Sequence, residues 1–258
     1  EHYNKVRDAQ KIKACMQADK GITHVAMVHG ETTSGILNDI KAVADVVKAG
    51  DGVFIVDAMS TFGGVDIPVQ DWGIDFLISS ANKCIQGVPG FSFIIGRRDL
   101  VIESVGKARS LSLDLYDQWK TMEVDGKWRF TSPTHVVLAF SKALDEMLEE
   151  GGIPARYRRY RKNNRLLIEK MGEMGMKTYI DGIHQGPIIT TFFYPENAHF
   201  TFAEMYQYIK DRGYAIYPGK VTEADTFRIG NIGEIYPEDI KKLCDIMKEF
   251  LEVKNGQI

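Results

Sequence analysis

The chain has 258 residues, enough for one large domain or two modest ones, and its 44% hydrophobic content supplies a real core. A net charge of −3 leaves no electrostatic footprint for nucleic acid or an anionic membrane, so the partner read from composition is a small molecule. Cys15, Cys84 and Cys244 lack CxxC spacing, the six histidines show no HxxxH or HExxH spacing, and no apolar run reaches membrane-span length, which excludes a disulfide framework, a metal motif and a spanning helix and fits a reducing cytoplasm.

The N-terminal EHYNKVRDAQ is polar, with no signal-peptide core. Four short apolar runs follow: HVAMVH (24–29), GVFIVDA (52–58), DFLISS (75–80) and FSFIIG (91–96). Being rich in β-branched or aromatic residues and continuous, they are predicted as buried strands. Between the first two, Ile36, Ile40, Val43 and Val47 recur at helical spacing up to Gly50 and Gly52, predicting an amphipathic crossover helix. Strand, helix and strand in this order give a right-handed crossover and a mainly parallel sheet flanked by helices, an α/β fold. After FIIGRRDL the pattern changes. VVLAFSKALDEMLEEGG (136–152) and a long helix within PARYRRYRKNNRLLIEKMGEMG lead into a smaller C-terminal α+β region, PIITTFFYP, FAEMYQYIKDRGY, AIYPG, TFRIG and the helix PEDIKKLCDIMKEFLEV. The expected division is a large domain over 1–150 and a small domain over 151–258.

In parallel sheets ligands bind beyond the carboxyl ends of the strands, and three polar clusters fall there: HGETTSG (29–35), DAMS (57–60) and SSANK (79–83). Each has an ordinary explanation when it stands alone: Asp57 as a turn residue, Lys83 as a solvated amine, Thr32, Thr33 and Ser34 as turn or N-cap hydroxyls. Together they suit one chemistry. A cleft lysine forms a Schiff base with an aldehyde cofactor, and a carboxylate holds a pyridine nitrogen protonated so that the ring becomes an electron sink. That points to pyridoxal 5'-phosphate, with Lys83 and Asp57 as the pair, Thr32 toward the ring oxygen and Met59 on a ring face. The basic run RYRRYRKNNR (156–165) lies along one helix of an acidic chain and reads as a solvated face. Cys244 reads as a packed helix residue, Cys84 as lining, and His29 and His135 as structural histidines near the cleft.

VHGETTSG, VDAMSTFGG, SSANKCIQGVPGFSFII, WRFTSPTHVV, IYPGKV and DTFRIGNIG, in this order, resemble the 2-aminoethylphosphonate:pyruvate aminotransferase family, class V members of the fold type I pyridoxal phosphate enzymes. The resemblance runs from about residue 20 to the C-terminal helix. It implies Lys83 as the Schiff-base lysine, Asp57 as the pyridinium partner, Thr32 and Thr33 as cofactor contacts, and Asn82 as a contact to the cofactor phosphate. It also implies that Thr131 reaches the phosphate of a partner subunit, hence a homodimer with shared sites, and that Arg228 binds the anionic end of the substrate. A planar guanidinium grips phosphonate or carboxylate through two parallel hydrogen bonds, so one arginine serves both a phosphonate amine and a small 2-oxo acid. Members of the family carry an N-terminal Gly-rich turn that cradles the cofactor phosphate. Here the chain opens on Glu1 without an initiator Met and reaches HVAMVH within two dozen residues, so the expectation is a large domain incomplete at its N-terminus. The alternatives are another class V aminotransferase, of alanine:glyoxylate or serine:pyruvate type, and a truncated, non-catalytic chain that binds an anion or a partner.

Overall fold

The structure, a computed structural model, describes residues 5–196, 199–221 and 224–254. Its elements in chain order are α1 (Ala9–Ala18), β1 (His24–Val28), α2 (Ile40–Ala49), β2 (Val53–Asp57), β3 (Phe76–Ser80), β4 (Ser92–Gly96), α3 (Arg98–Glu103), α4 (Leu115–Asp125) and α5 (Thr134–Glu149). Then come α6 (Gly152–Glu173), β5 (Ile189–Phe193), α7 (Phe202–Lys210), β6 (Tyr217–Pro218), β7 (Thr226–Gly230) and α8 (Pro237–Lys254).

The four apolar runs form one sheet in the order β1-β2-β3-β4, parallel up to β3 and closed by an antiparallel β4. The crossover helix starts at Asp39, whose carboxylate accepts the Ala42 amide at 2.9 Å, and stops at Gly50. Capping by Asp39 releases the hydroxyls of Thr32 and Thr33 from the N-cap role open to them in the sequence. Ile40, Val43, Ala44 and Val47 pack on Met27, Phe54, Val56 and Leu77 to form the first core. The strands are less enclosed than their continuous apolar runs predict. Val25, Phe54 and Leu77 point to α2, whereas Ala26 and Val28 on the opposite face are exposed and Ile55, Phe76 and Ile78 there are half-buried. Asp57 stands on that second face, two residues beyond Ile55.

Asp75 ties this layer together. Its buried carboxylate accepts the Phe54 amide at 2.7 Å, Arg97 Nη1 at 2.9 Å and Lys48 Nζ. Burial raises its pKa, but the hydrogen bonds from Lys48, Phe54 and Arg97 outweigh that and hold the carboxyl below its ordinary 3.8. The stability it contributes is therefore present above that ordinary value and lost as pH falls through the lowered one. Asp75→Ala, which leaves Lys48 and the Phe54 amide without their shared acceptor, is expected to cost about 3–5 kcal/mol in urea unfolding at neutral pH.

The second sheet, β5-β7-β6, is antiparallel and builds the other large core with α6, α7 and α8. Phe192, Phe227, Met205, Leu243, Met247 and Phe250 are all buried there. Thr201 and Glu204 form a reciprocal capping box at the start of α7. Cys244, on α8, is packed in this core as the sequence predicts, and burial pushes its thiol up to about 12. The basic run divides. Arg156, Tyr160, Asn163 and Asn164 are buried, and only the alternate stripe with Arg158, Lys162 and Arg165 faces outward, because α6 packs one side on the loop after β3 and on β5.

Candidate active site

The parallel strands end at Val28, Asp57 and Ser80, and the loops that leave these ends are tied to one another. The His29 amide donates to the Asp57 carbonyl at 2.8 Å, linking the first loop to the second. The Cys84 thiol donates to the Ser60 carbonyl at 3.2 Å, linking the second to the third. Gly63 and Gly64 make that approach possible, because a Cβ on Gly64 would meet Cys84 Sγ at 2.5 Å and one on Gly63 would meet Ile85 Cδ1 at 2.5 Å. Asp57, Met59, Asn82 and Lys83 are thus gathered at one sheet edge, as their positions after the strands predict.

Asp57 uses one carboxylate oxygen to accept the Met59 amide at 2.9 Å, an arrangement that aims the side chain back across its own turn. Lys83 follows β3 by three residues and is half-buried, and its amine makes no hydrogen bond or salt bridge among the described residues. Its carbonyl accepts the Gln86 amide at 2.8 Å, closing a turn in which Gln86 takes a left-handed φ of 66°. That conformation costs a non-glycine residue on the order of 1 kcal/mol and persists only where its surroundings enforce it. Here the Gln86 amide side chain donates to the Tyr160 hydroxyl at 2.6 Å, and Arg156 Nη1 donates to the Cys84 and Ile85 carbonyls at 2.8 and 3.1 Å. Cys84 does not line an open cleft but is fully buried beside Tyr160 and Ile188, where burial pushes its thiol up to about 12, far from a thiolate at neutral pH.

His29 is buried, its Nδ1 2.9 Å from Thr61 Oγ1, in the structural role the sequence suggests; His135 is exposed instead, on the first turn of α5. Burial lowers the His29 pKa from 6.5 to about 4, with Asp39 opposing. The unfolded chain therefore binds the extra proton between those values, and stability falls as pH drops from 6.5 toward 4. The expected loss is up to about 3 kcal/mol, and His29→Gln should flatten this part of a urea-midpoint profile measured from pH 7 to pH 4.

Arg228, on β7, reaches the same edge from the second sheet. Nη1 donates to the Thr32 carbonyl at 2.9 Å and Nε to the Pro218 carbonyl at 3.0 Å, while Tyr217 lies 5.7 Å from the guanidinium carbon to ring centroid. The side chain is buried, yet it forms no salt bridge among the described residues. Burial lowers its pKa, with Tyr217 and Glu31 opposing, and Glu31 itself turns back to accept the Thr33 amide at 2.9 Å. Thr191 Oγ1 donates to the Thr33 carbonyl at 3.3 Å, a second tie from the small sheet to the first loop. Thr131 is not brought to this edge: it is exposed, in the loop before α5.

The residues fit a polar, anionic cofactor. Ser80 Oγ is buried without a partner, and the side chains of Thr32, Thr33, Asn82 and Lys83 make no hydrogen bond among the described residues. Of these only Ser80 Oγ is fully buried, where an unmatched polar group costs about 1–3 kcal/mol, and the half-buried Thr32, Thr33, Asn82 and Lys83 leave further donors open to a hydrogen-bonding ligand. The sequence marks Ser80 only as part of the SSANK cluster and does not single out its hydroxyl. Arg156 and Tyr160 carried no such mark.

A model of the family described as Aminotransferase class-V matches residues 3–226. This chain belongs to the class-V aminotransferase family. It is 53% identical over 255 residues to the 2-aminoethylphosphonate--pyruvate transaminase of Lysinibacillus sphaericus, covering 99% of this chain and 69% of that protein. It is 58% identical over 229 residues to the enzyme of the same name from Bacteroides fragilis, covering 88% of this chain and 63% of that one. The class-V chain thus spans about two thirds of the length of the curated relatives it matches. Among solved structures, pyridoxamine-pyruvate aminotransferase from Mesorhizobium loti superposes with a TM-score of 0.88 at 22% identity, over 98% of this chain and 66% of that one. Alanine--glyoxylate aminotransferase from Nostoc sp. gives 0.86 at 20%, over 97% and 67%. The α/β architecture is that of the fold type I aminotransferases, a mixed sheet of mostly parallel strands flanked by helices.

Proposed function

We propose that this chain carries the active centre of a pyridoxal phosphate-dependent transaminase that converts 2-aminoethylphosphonate and pyruvate to phosphonoacetaldehyde and L-alanine. The observation that carries the reading is Arg228, a buried guanidinium with backbone carbonyls for company and no carboxylate bound to it among the described residues. Keeping such a charge out of water is costly unless an anion completes it, and both substrates are small anions carrying phosphonate or carboxylate. The names of the relatives above support the same pair of substrates.

Pyridoxal phosphate, when bound, supplies an aldehyde to hold the amine and an electron sink for the carbon beside it. Lys83 Nζ, which makes no hydrogen bond or salt bridge among the described residues, would hold that aldehyde and move the proton from the amine-bearing carbon of the substrate as general base and acid. Asp57 keeps one carboxylate oxygen for the Met59 amide, and the other would accept from a ring N–H and keep the ring cationic. Thr32 and Thr33 would hold the ring through their hydroxyls, Met59 would pack on it, and Ser80 and Asn82 would donate to the phosphate. Arg228 orients both anions in turn.

Residues 1–150 form the cofactor-binding unit in this reading and residues 151–258 the small unit that brings Arg228. The protein works as a homodimer, in which the exposed Thr131 completes the partner's site, and resides in the cytoplasm, in keeping with three cysteines that are all free thiols. No helix among the described residues is long and apolar enough to cross a membrane. Amino donors assayed side by side test the substrate assignment: 2-aminoethylphosphonate with pyruvate is expected to exceed serine with pyruvate, or alanine with glyoxylate, in kcat/KM by at least about tenfold. A preference for serine or alanine would overturn it in favour of another class-V transaminase.

A further inference from the structure

Three independent contacts converge on the segment just after Lys83, and all three end on α6 or on the loop after Asp57. Arg156 donates one nitrogen to both the Cys84 and Ile85 carbonyls, Tyr160 accepts from the side chain of Gln86, and Cys84 reaches the Ser60 carbonyl. Arg156 is itself held by Glu150, whose Oε2 accepts its Nε at 2.8 Å and whose carboxylate also accepts Arg159 at 2.7 Å. Burial pulls the Glu150 carboxyl up, but the hydrogen bonds from Arg159 and Arg156 outweigh it and keep the group below its ordinary range, so the bridge stays charged at neutral pH. Arg159 continues the chain to the Gly233 carbonyl at 2.6 Å, three residues beyond the strand that carries Arg228. A buried arginine could satisfy itself with its carboxylate alone; this one spends a donor on two successive carbonyls of the lysine loop.

We infer that Arg156 is a positioning residue for Lys83: from α6 it fixes the backbone that presents the Lys83 amine to Asp57's side of the sheet edge. The inference rests on the reading of Lys83 as the cofactor lysine. Arg156 touches neither substrate nor cofactor and acts only through the Cys84 and Ile85 carbonyls. Without the fork, the strained Gln86 turn relaxes and the amine loses its fixed reach, while the cofactor's other contacts persist.

The test uses the purified protein with added pyridoxal phosphate, in the parent, Arg156→Met, Arg156→Lys and, as a control in a buried bridge remote from this loop, Lys48→Met. Borohydride reduction followed by peptide mass mapping locates the cofactor, equilibrium dialysis gives its Kd, and the visible band is titrated with pH. The parent is expected to carry the reduced cofactor on Lys83; its absence there would sink the cofactor reading and the inference with it. Arg156→Met is expected to keep the adduct on Lys83 but to weaken cofactor binding about tenfold or more and to shift the titration of the band, as a misplaced reactive group does. Arg156→Lys restores part of the grip and recovers part of the affinity. Lys48→Met lowers the melting temperature without moving either quantity. Parent-like affinity and titration in Arg156→Met would overturn the positioning role while leaving Lys83 in place. If Arg156→Met does not fold, Arg156→Lys is read by the same criteria, weaker cofactor binding with a shifted band titration supporting the role and parent-like values overturning it.

Discussion

Lys83→Ala is expected to abolish transamination, with a loss of at least about a thousandfold in kcat and no visible band of lysine-bound cofactor, because the same amine anchors the aldehyde and carries the proton. The physical case lies in what Lys83 does not do. A lysine at a half-buried turn ordinarily finds a carboxylate or a carbonyl, and this one forms no such bond among the described residues. Its removal therefore breaks no ion pair, and the melting temperature of the cofactor-free protein should stay within a few degrees of the parent. Asp57→Ala is the informative companion, since it leaves the lysine to bind the aldehyde yet removes the acceptor that keeps the ring cationic. Absorbance with cofactor but no alanine formation from pyruvate is the outcome that assigns separate roles to the two residues. Full activity in Lys83→Ala would overturn the mechanism altogether.

The strands and the residues at their ends were legible because both rest on local rules. Apolar runs bounded by glycines and polar turns mark β1 to β4, and a parallel sheet sends every strand's carboxyl end to the same edge, so Asp57 and Lys83 could be placed side by side without coordinates. What stayed hidden depends on partners far apart in sequence. Arg156 sits in a run that looks like a solvated helix face, and nothing local reveals that the Cys84 carbonyl, 72 positions away, is its acceptor. Asp75 reads as the ordinary start of a strand until Lys48 and Arg97 converge on it. The helix α4 escaped for a different reason: LYDQWKTMEVD buries no residue, so it lacks the apolar stripe by which α2 announces itself. Thr32 was read for its hydroxyl, and the structure adds a second use, its carbonyl, as the acceptor that aims Arg228.

That carbonyl is why Arg228 deserves a paired experiment on activity and stability. Arg228→Gln is expected to lower kcat/KM for both 2-aminoethylphosphonate and pyruvate by about a hundredfold or more, as befits a bidentate charge-assisted grip on each anion. A structural arginine in a buried bridge would behave otherwise, since removing it strands its carboxylate and costs about 3–5 kcal/mol. Arg228 forms no salt bridge among the described residues, so two effects of opposite sign remain. Losing its bonds to the Thr32 and Pro218 carbonyls destabilises by about 1 kcal/mol each, and removing a desolvated charge gives back a comparable amount. The net change in urea unfolding is therefore expected within about 2 kcal/mol of zero, measured without substrate. Arg228→Lys keeps the charge but not the fork and should recover only a small part of the activity. A large loss of stability with unchanged kcat/KM would make Arg228 a tie between the two sheets and remove the main support for an anionic substrate; a large loss of kcat/KM on an intact fold is what an anion-binding arginine requires.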